Sequence, residues 1–148
     1  MTISKDFRFP VSVSWPGHQL ACARAPGVEK IDIAVPPEFN GPGGYWSPEQ
    51  LLVASAASCF AVTFAAIAEQ RGIPINSLNV SGTGHIGHRD DGRTGFVAVE
   101  VTPRLETEPD CVAAAERTAR ACHCLVTEAL DVPVHVVPLV TAVEPVSV

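Results

Sequence analysis

The fold is decided by one stretch, residues 47–71, which reads SPEQLLVASAASCFAVTFAAIAEQR and is the longest apolar segment of the chain. Ser47 is a residue type that caps helices, Pro48 suits the first helical position, and Glu49 adds a favourable charge to the first turn. Arg71 and the glycine after it are the usual signals for a helix end. The stretch therefore predicts a long helix with one cysteine, at its middle.

No charged residue lies between Leu51 and Ala68, so this helix approaches the roughly 20 apolar residues that span a membrane. We predict instead an interior helix, because seven of these positions are alanine and three are serine or threonine, which makes the segment only weakly hydrophobic. Small side chains also allow another helix to pack closely. They form a small-residue stripe at Ala54, Ala57, Ser58, Ala61 and Ala65.

Composition indicates one folded domain over residues 1–148, since 47% of the chain is hydrophobic. A formal net charge of -6 offers no cationic surface, so we expect no nucleic-acid partner and no membrane partner. The start, MTISKDFRF, lacks the apolar core of a signal peptide, and we expect a cytoplasmic protein. In that compartment thiols stay reduced, so five cysteines, an odd number, are not a disulfide framework.

Alternation of apolar and polar residues predicts strands on both sides of the central helix. The predicted strands are 7–15, 19–24, 28–35, 78–88, 93–105 and 134–143. A loop at 36–46, rich in proline and glycine, delivers the chain to the helix and is a candidate wall or lid of a site. A second helix is expected from Pro109 toward Leu130. The order βββ-α-ββ-α-β is that of an α+β fold.

Motifs for several other chemistries are absent from the sequence, which has no HExxH, no paired C-x-x-C, no G-x-S-x-G and no P-loop. Three glycines between 82 and 87 resemble a nucleotide fingerprint only loosely, because they lie in a strand. Cys59 alone is most simply a small buried hydrophobe. Cys122 and Cys124 have the spacing of some metal sites but lack a second pair. In a helix they would point to nearly opposite faces, so at most one would face Cys59.

Two motifs carry a resemblance to a known family. SPEQLLVASAASCF, at 47–60, resembles the central motif of the OsmC/Ohr family of thiol-dependent hydroperoxide reductases, with the family's interval between Glu49 and Cys59. CLVTEAL, at 124–130, is similar to the family's second cysteine motif, and the order of strands and helices also agrees. The resemblance implies an OsmC-like fold, with antiparallel sheets packed on a long central helix in an intertwined homodimer.

The resemblance also implies the roles of three residues. Cys59 is the peroxidatic thiol, Cys124 is the resolving thiol, and Glu49 is the carboxylate that helps to position the activating group. The family supplies an arginine from the N-terminal half to hold the thiolate. The nearest candidate here is Arg24, with Arg8 behind it and His18 as a substitute. Cys22, Cys111 and Cys122 match no family motif and are left with structural or incidental roles.

The implied activity is reduction of organic hydroperoxides in defence against oxidative stress. The Cys59 thiolate attacks the peroxide and becomes a sulfenic acid, and Cys124 condenses with it to form a disulfide. An external dithiol such as a lipoyl group reduces that disulfide, and no metal or flavin cofactor is required. Apolar residues around Cys59 would favour an alkyl peroxide, although each also fits plain core packing. They are Phe39, Trp46, Phe60 and Phe64.

A different class of function keeps the fold without the turnover. In that alternative the protein binds a small apolar ligand, or a soft metal through Cys122, His123 and Cys124. One departure from the family also affects the second helix. Leu125 stands where the family usually has a proline, so we expect that helix to continue through Cys124.

The positions of two site residues suggest a shared site. Glu49 and Cys59 are ten residues apart, which along a helix is roughly 15 Å. A two-fold axis at Ala54 would bring Glu49 of one chain level with Cys59 of the other. The alternative is that Glu49 only completes the N-terminus of its own helix.

Overall fold

The structure, a computed structural model, describes residues 7–17 and 20–144. It is an α+β protein, as the sequence predicts. The chain divides into two units, Met1–Leu51 and Leu52–Val148, and each is described by itself. A single domain over residues 1–148 stays a prediction.

The first unit contains a three-stranded antiparallel sheet. Its strands are β1, Ser12–Ser14; β2, Leu20–Arg24; and β3, Ile31–Ala34. The prediction of one half-buried strand over 7–15 is wrong, because the strand is confined to three residues and its side chains are exposed. Pro10 has no N–H to donate to a ladder, so pairing begins after it. The apolar side chains before and within this strand are exposed too, Phe9 by 87%.

The segment between the sheet and the helix has the irregular structure expected of it. A 3₁₀ turn, Pro37–Phe39, is followed by loop residues that reach Trp46, which bridges to Ile33. The long helix α1, Pro48–Gln70, then begins with a capping box. Ser47 Oγ accepts from the backbone N–H of Gln50 at 3.1 Å, and Gln50 Oε1 accepts from the N–H of Ser47 at 3.1 Å.

The C-terminal end of α1 also follows the sequence signals. Gly72 adopts a left-handed φ of 66°, which an L side chain rarely adopts, and its N–H donates to Glu69 O at 3.1 Å. The predicted start and end of this helix are therefore both confirmed.

The second unit contains a four-stranded sheet centred on β5. Strands β4, Ser77–His88, and β5, Thr94–Thr107, form the predicted antiparallel hairpin. The single strand expected over 134–143 is instead two, β6, Val134–Val136, and β7, Leu139–Ala142, separated at Pro138. Both strands pair with β5 in parallel, so this sheet is mixed. The expectation of antiparallel sheets therefore holds only for the sheet of the first unit and for the β4–β5 hairpin.

The second helix is also two helices, α2, Val112–Arg120, and α3, Leu125–Ala129. The expectation that it continues through Cys124 is wrong, since Cys124 has extended backbone at φ -130° and ψ 158°. We call residues 121–124 the helix break. A continuous helix would place Cys122 and Cys124 on nearly opposite faces, whereas the break lets both be buried.

The core of the second unit lies between α1, β5 and α2. One face of α1 supplies residues four apart, and α2 faces them with Ala115 and Ala119. The α1 residues are Ala56, Phe60, Phe64 and Ala68. Burial of these side chains is the main stabilising term of the unit.

The small-residue stripe of α1 is not its buried face. Ser58 and Ala65 are exposed, Ala54, Ala57 and Ala61 are half-buried, and Val62 is 68% exposed. The packing of another helix on this stripe therefore stays a prediction.

Glycines in β4 allow α1 to lie close to the sheet. A Cβ added at Gly82 would lie 2.8 Å from Val53 Cγ1, and one added at Gly84 would lie 2.5 Å from the Phe96 ring and 2.8 Å from Val53 Cγ2. Real Cβ atoms do not approach other atoms so closely. The glycine pattern of this strand therefore serves helix packing.

By length and composition alone, α1 could cross a membrane, since it has 23 residues and a mean hydropathy of 2.2 over its most apolar window. In that window 22% of the residues are buried. Core helices of soluble proteins meet the same criteria. An interior position for this helix thus stays a prediction.

Candidate functional site

Cys124 lies where the helix break meets α3. Its extended backbone makes it the N-cap residue of α3, and its side chain is buried. The Sγ atom lies 3.1 Å from Thr127 Oγ1. When Cys124 is ionised its sulfur can only accept, so the Thr127 hydroxyl then donates to it.

Burial by itself raises the pKa of the Cys124 thiol, yet this pKa lies below the ordinary value. The hydroxyl and then the N–H of Thr127, the Cys59 side chain and the N–H of Val126 all act as hydrogen-bond partners that favour the thiolate. A thiol with a lowered pKa is ionised more often, and the thiolate is the reactive form. The local structure around Cys124 thus prepares a nucleophilic sulfur.

Cys59 lies at the middle of α1, next to the core residue Phe60, and is half-buried. Its side chain is one of the hydrogen-bond partners that lower the pKa of Cys124. The two cysteines are distant in sequence, and the fold brings their side chains together.

Cys122 is the residue that sequence reasoning left out of this cluster. Burial raises its pKa to about 11, with further contributions from Cys124 and Cys59. The continuous helix that was assumed for these two cysteines is wrong, whereas the prediction that at most one of them faces Cys59 stays a prediction, since Cys59 is a side-chain partner of Cys124 and acts on Cys122 through charge. The C-x-C spacing was the available signal.

The polar residues expected to assist the thiolate belong to the first unit. Arg24, at the end of β2, is exposed, and its Nη1 donates to Ser14 Oγ at 3.2 Å. Arg8 is exposed as well, and His18 lies outside the described residues. Glu49 lies in the first turn of α1, and its Oε2 is buried without a hydrogen-bond partner in residues 7–17 and 20–144.

The four aromatic residues expected in a substrate pocket occupy two kinds of place. Phe60 and Phe64 are buried in the core of the second unit, with stacked rings whose centroids are 5.7 Å apart. Phe39 and Trp46 lie in the first unit, and about half of each side chain is exposed, 51% and 50%. Core packing thus accounts for the first two, and contact with a substrate stays a prediction for all four.

The part of the chain that the structure describes contains no group of three or more His, Cys, Asp or Glu side chains arranged to hold a metal ion. The His123 ring, which the metal-binding alternative requires, pairs instead with Glu128, at 2.7 Å between Nδ1 and Oε1. All five cysteines are free thiols.

The sequence matches the family of OsmC-like proteins over residues 41–137, a range that includes Cys59 and Cys124. The chain therefore belongs to the OsmC-like family, and the resemblance seen in its two cysteine motifs is confirmed. One curated relative, the uncharacterized protein YmaD of Bacillus subtilis, is 30% identical over 80 residues. The match covers 53% of this chain, and the chain spans about half the length of that relative, 53%.

Solved structures share the fold at low sequence identity. An OsmC-like protein of unknown function from Vibrio cholerae has a TM-score of 0.80 at 16% identity and covers 90% of this chain and 100% of its own. An organic hydroperoxide resistance protein from Elizabethkingia anophelis has a TM-score of 0.73 at 17% identity, and the match covers 95% of this chain and 99% of that protein. The organic hydroperoxide resistance protein OhrB of Bacillus subtilis has a TM-score of 0.65 at 23% identity, and the match covers 91% of this chain and 98% of that protein. These matches confirm the OsmC-like fold.

Proposed function

We propose that this protein is a cysteine-based peroxidase that reduces organic hydroperoxides to alcohols, with an external dithiol as the reductant. The observation that carries the proposal is that the fold places Cys59, at the middle of α1, near enough to Cys124, the N-cap residue of α3, to lower the pKa of Cys124. Family membership and the names of two structural neighbours, both organic hydroperoxide resistance proteins, support a role toward peroxides.

In the first step the Cys59 thiolate attacks the terminal oxygen of the hydroperoxide. The O–O bond breaks, the alkoxide leaves and takes a proton to become an alcohol, and Cys59 becomes a sulfenic acid. Cys59 is half-buried and therefore accessible to a small substrate.

In the second step the Cys124 sulfur attacks the sulfur of the sulfenic acid and displaces hydroxide, which leaves as water after protonation. The lowered pKa of Cys124 supports this role, since a larger fraction of the thiol is ionised at neutral pH. The product is a Cys59–Cys124 disulfide, which an external dithiol such as a lipoyl group reduces. The chemistry needs no metal or flavin.

Compartment and substrate follow from the same chemistry. A protein whose five cysteines are all free, and whose cycle ends with reduction by a dithiol, suits the reducing cytoplasm. Organic peroxides are preferred over hydrogen peroxide because their alkyl group gains free energy when it moves from water into an apolar pocket. The residues proposed to supply that pocket remain Phe39, Trp46, Phe60 and Phe64.

Assembly is a further part of the proposal, in which two chains pair around Ala54 of α1. Three observations support it: the partly exposed small-residue stripe, the 68% exposure of Val62 on the same helix, and the buried Oε2 of Glu49, which has no hydrogen-bond partner in the described chain. Small residues permit two helices to cross closely. In such a dimer Glu49 of one chain and Cys59 of the other would contribute to one site.

The test is consumption of cumene hydroperoxide with dithiothreitol or dihydrolipoamide in excess. We expect catalytic loss of peroxide from the unaltered protein and from Cys111→Ser, a matched control that removes a cysteine outside the cluster. Cys59→Ser should lose activity entirely. A non-catalytic binding protein would show no peroxide loss in any of the three samples.

A further inference from the structure

Cys122 is a buried thiol that the proposed cycle leaves unused. It shares the helix break with Cys124 and belongs to the core cluster that contains Phe60. The charges of Cys124 and Cys59 add to the effect of burial on its pKa. A third thiol beside a pair that alternates between thiols and a disulfide is placed for thiol–disulfide exchange.

A bond between Cys122 and Cys124 requires that the segment joining them is not helical, and the helix break meets that requirement. Two trans peptide units span at most about 7 Å, and disulfides join Cα atoms about 4.4 to 6.8 Å apart, so a slightly folded segment is sufficient. The N–H of Cys122 donates to Ala119 O at 3.3 Å, which makes a turn, and Cys124 is extended. In a continuous helix the two side chains would diverge.

A cavity of about 450 Å³ lies beside this segment. Its walls come from the end of α2, the helix break, α3 and β6, and they include the His123–Glu128 pair. Cys122 lines the cavity, whereas Cys59 and Cys124 do not. A thiol reagent that enters it therefore meets Cys122 before the other two sulfurs.

We propose that Cys122 is a third redox-active thiol, which takes the disulfide over from Cys59 and presents it to the reductant through this cavity. The inference rests on the proposed peroxidase function and extends it from two thiols to three. Its consequence is that Cys59 is freed for a second peroxide before any reductant arrives.

The exchange conserves atoms and electrons. The Cys122 thiol gives its proton to solvent, its sulfur attacks Cys124 in the Cys59–Cys124 disulfide, and Cys59 leaves as a thiolate. One thiolate of the external dithiol then attacks Cys122 and expels Cys124. The second thiol of the reductant attacks the mixed disulfide, which releases Cys122 and leaves the reductant oxidised.

The electrostatics of the cluster agree with this order of events. Burial is the main cause of the raised pKa of Cys122 and persists throughout, but the other causes are the neighbouring sulfurs. When Cys124 and Cys59 join in a disulfide they carry no charge, so ionisation of Cys122 becomes easier when it must attack. In the reductive step Cys124, whose pKa is lowered, is the better leaving group.

The experiment counts the peroxide consumed per chain in the absence of reductant. We expect the unaltered protein and Cys111→Ser to consume about two equivalents of cumene hydroperoxide, and Cys122→Ser or Cys122→Ala to consume about one, since each thiol oxidation uses one peroxide. Cys59→Ser should consume none.

Peptide mapping identifies the disulfide in the unaltered protein without relying on any variant. Trypsin cleaves after Lys30, Arg71 and Arg120, so Cys59 lies in peptide 31–71, and Cys122 and Cys124 share peptide 121–148. After the free thiols are alkylated in acid, we expect peptide 121–148 to contain an internal disulfide and to have no link to peptide 31–71.

A burst of one equivalent, with the link between the two peptides as the sole disulfide, would overturn the role of Cys122 and leave the peroxidase function intact. A burst of zero would overturn the peroxidase function and this inference with it.

Discussion

The three clustered thiols are held by two different kinds of backbone. Cys59 lies at the middle of α1, a continuous helix of 23 residues whose one face is buried in the core. Cys122 and Cys124 lie in the helix break, where burial raises the pKa of Cys122 and hydrogen bonds lower the pKa of Cys124. The regular helix fixes the position of Cys59, while the break gives different pKa values to two thiols that are two positions apart.

The largest effect should come from removing the activated sulfur of the helix break. Cys124→Ser should lower multiple turnover with a dithiol by on the order of 100-fold or more, as expected when one member of a cooperating pair is lost. The first oxidation of Cys59 should be unaffected. Stopped-flow loss of cumene hydroperoxide separates the two phases. Full turnover in Cys124→Ser would mean that another thiol resolves the sulfenic acid.

The fixed position of α1 can be tested through the strand on which it packs. Gly84→Ala should reduce the free energy of unfolding by ~1–3 kcal/mol, because the new methyl group overlaps the Phe96 ring and Val53. Gly87→Ala is the matched control, since its Cβ would be 3.6 Å from the nearest atoms, an ordinary contact. Urea unfolding measures both. Equal stability of the two variants would show that β4 and α1 do not approach as closely as described.

The exposed face of α1 should respond to added bulk through assembly. Ala54→Trp should lower both the dimer content and the peroxidase activity, because a large side chain prevents the close crossing of two helices. Ala66→Trp, at an exposed position nearer the end of the helix, should do neither. Sedimentation at decreasing concentration gives the oligomeric state. A fully active monomer would contradict a site shared between chains.

The smallest effect concerns the hydrogen bond at the helix break. Thr127→Val removes the hydroxyl that stabilises the Cys124 thiolate, so the pKa of Cys124 should rise. Its alkylation by iodoacetamide at pH 7 should become several-fold slower, and the midpoint of the rate against pH should move upward. Thr127→Ser keeps the hydroxyl and should retain the original profile. An unchanged midpoint in Thr127→Val would mean that Cys59 and the backbone N–H groups lower the pKa of Cys124 without the hydroxyl.

Local signals were enough to predict α1, because its ends depend on residues beside them. Ser47 closes the capping box and Gly72 adopts the left-handed turn, and neither needs a distant partner. The two cysteine motifs likewise predicted the family, and the fold then brought Cys59 and Cys124 together.

The helix break could not be predicted in the same way. No proline or glycine lies in 121–124 to indicate that the helix ends there. The helix ends where Cys122 and Cys124, two positions apart, are both buried, and that burial depends on tertiary packing. The alternation of apolar and polar residues around Phe9 indicates an apolar face of a strand, but it does not show what packs against that face. The exposure of the Phe9 side chain was therefore not predicted. The proximity of Cys59 and Cys124 was thus predictable from the two motifs, while the position of Cys122 depended on the tertiary structure.

The most direct measurement of the central claim is mass analysis after one equivalent of cumene hydroperoxide, without reductant. The unaltered protein should lose about 2 Da as two thiols become a disulfide, and Cys124→Ser should carry a sulfenic acid, trapped by dimedone, on peptide 31–71. That result would establish Cys59 as the peroxide-reactive thiol. An unchanged mass with the peroxide intact, or a dimedone adduct on the peptide of Cys22 or Cys111, would contradict the peroxidase account.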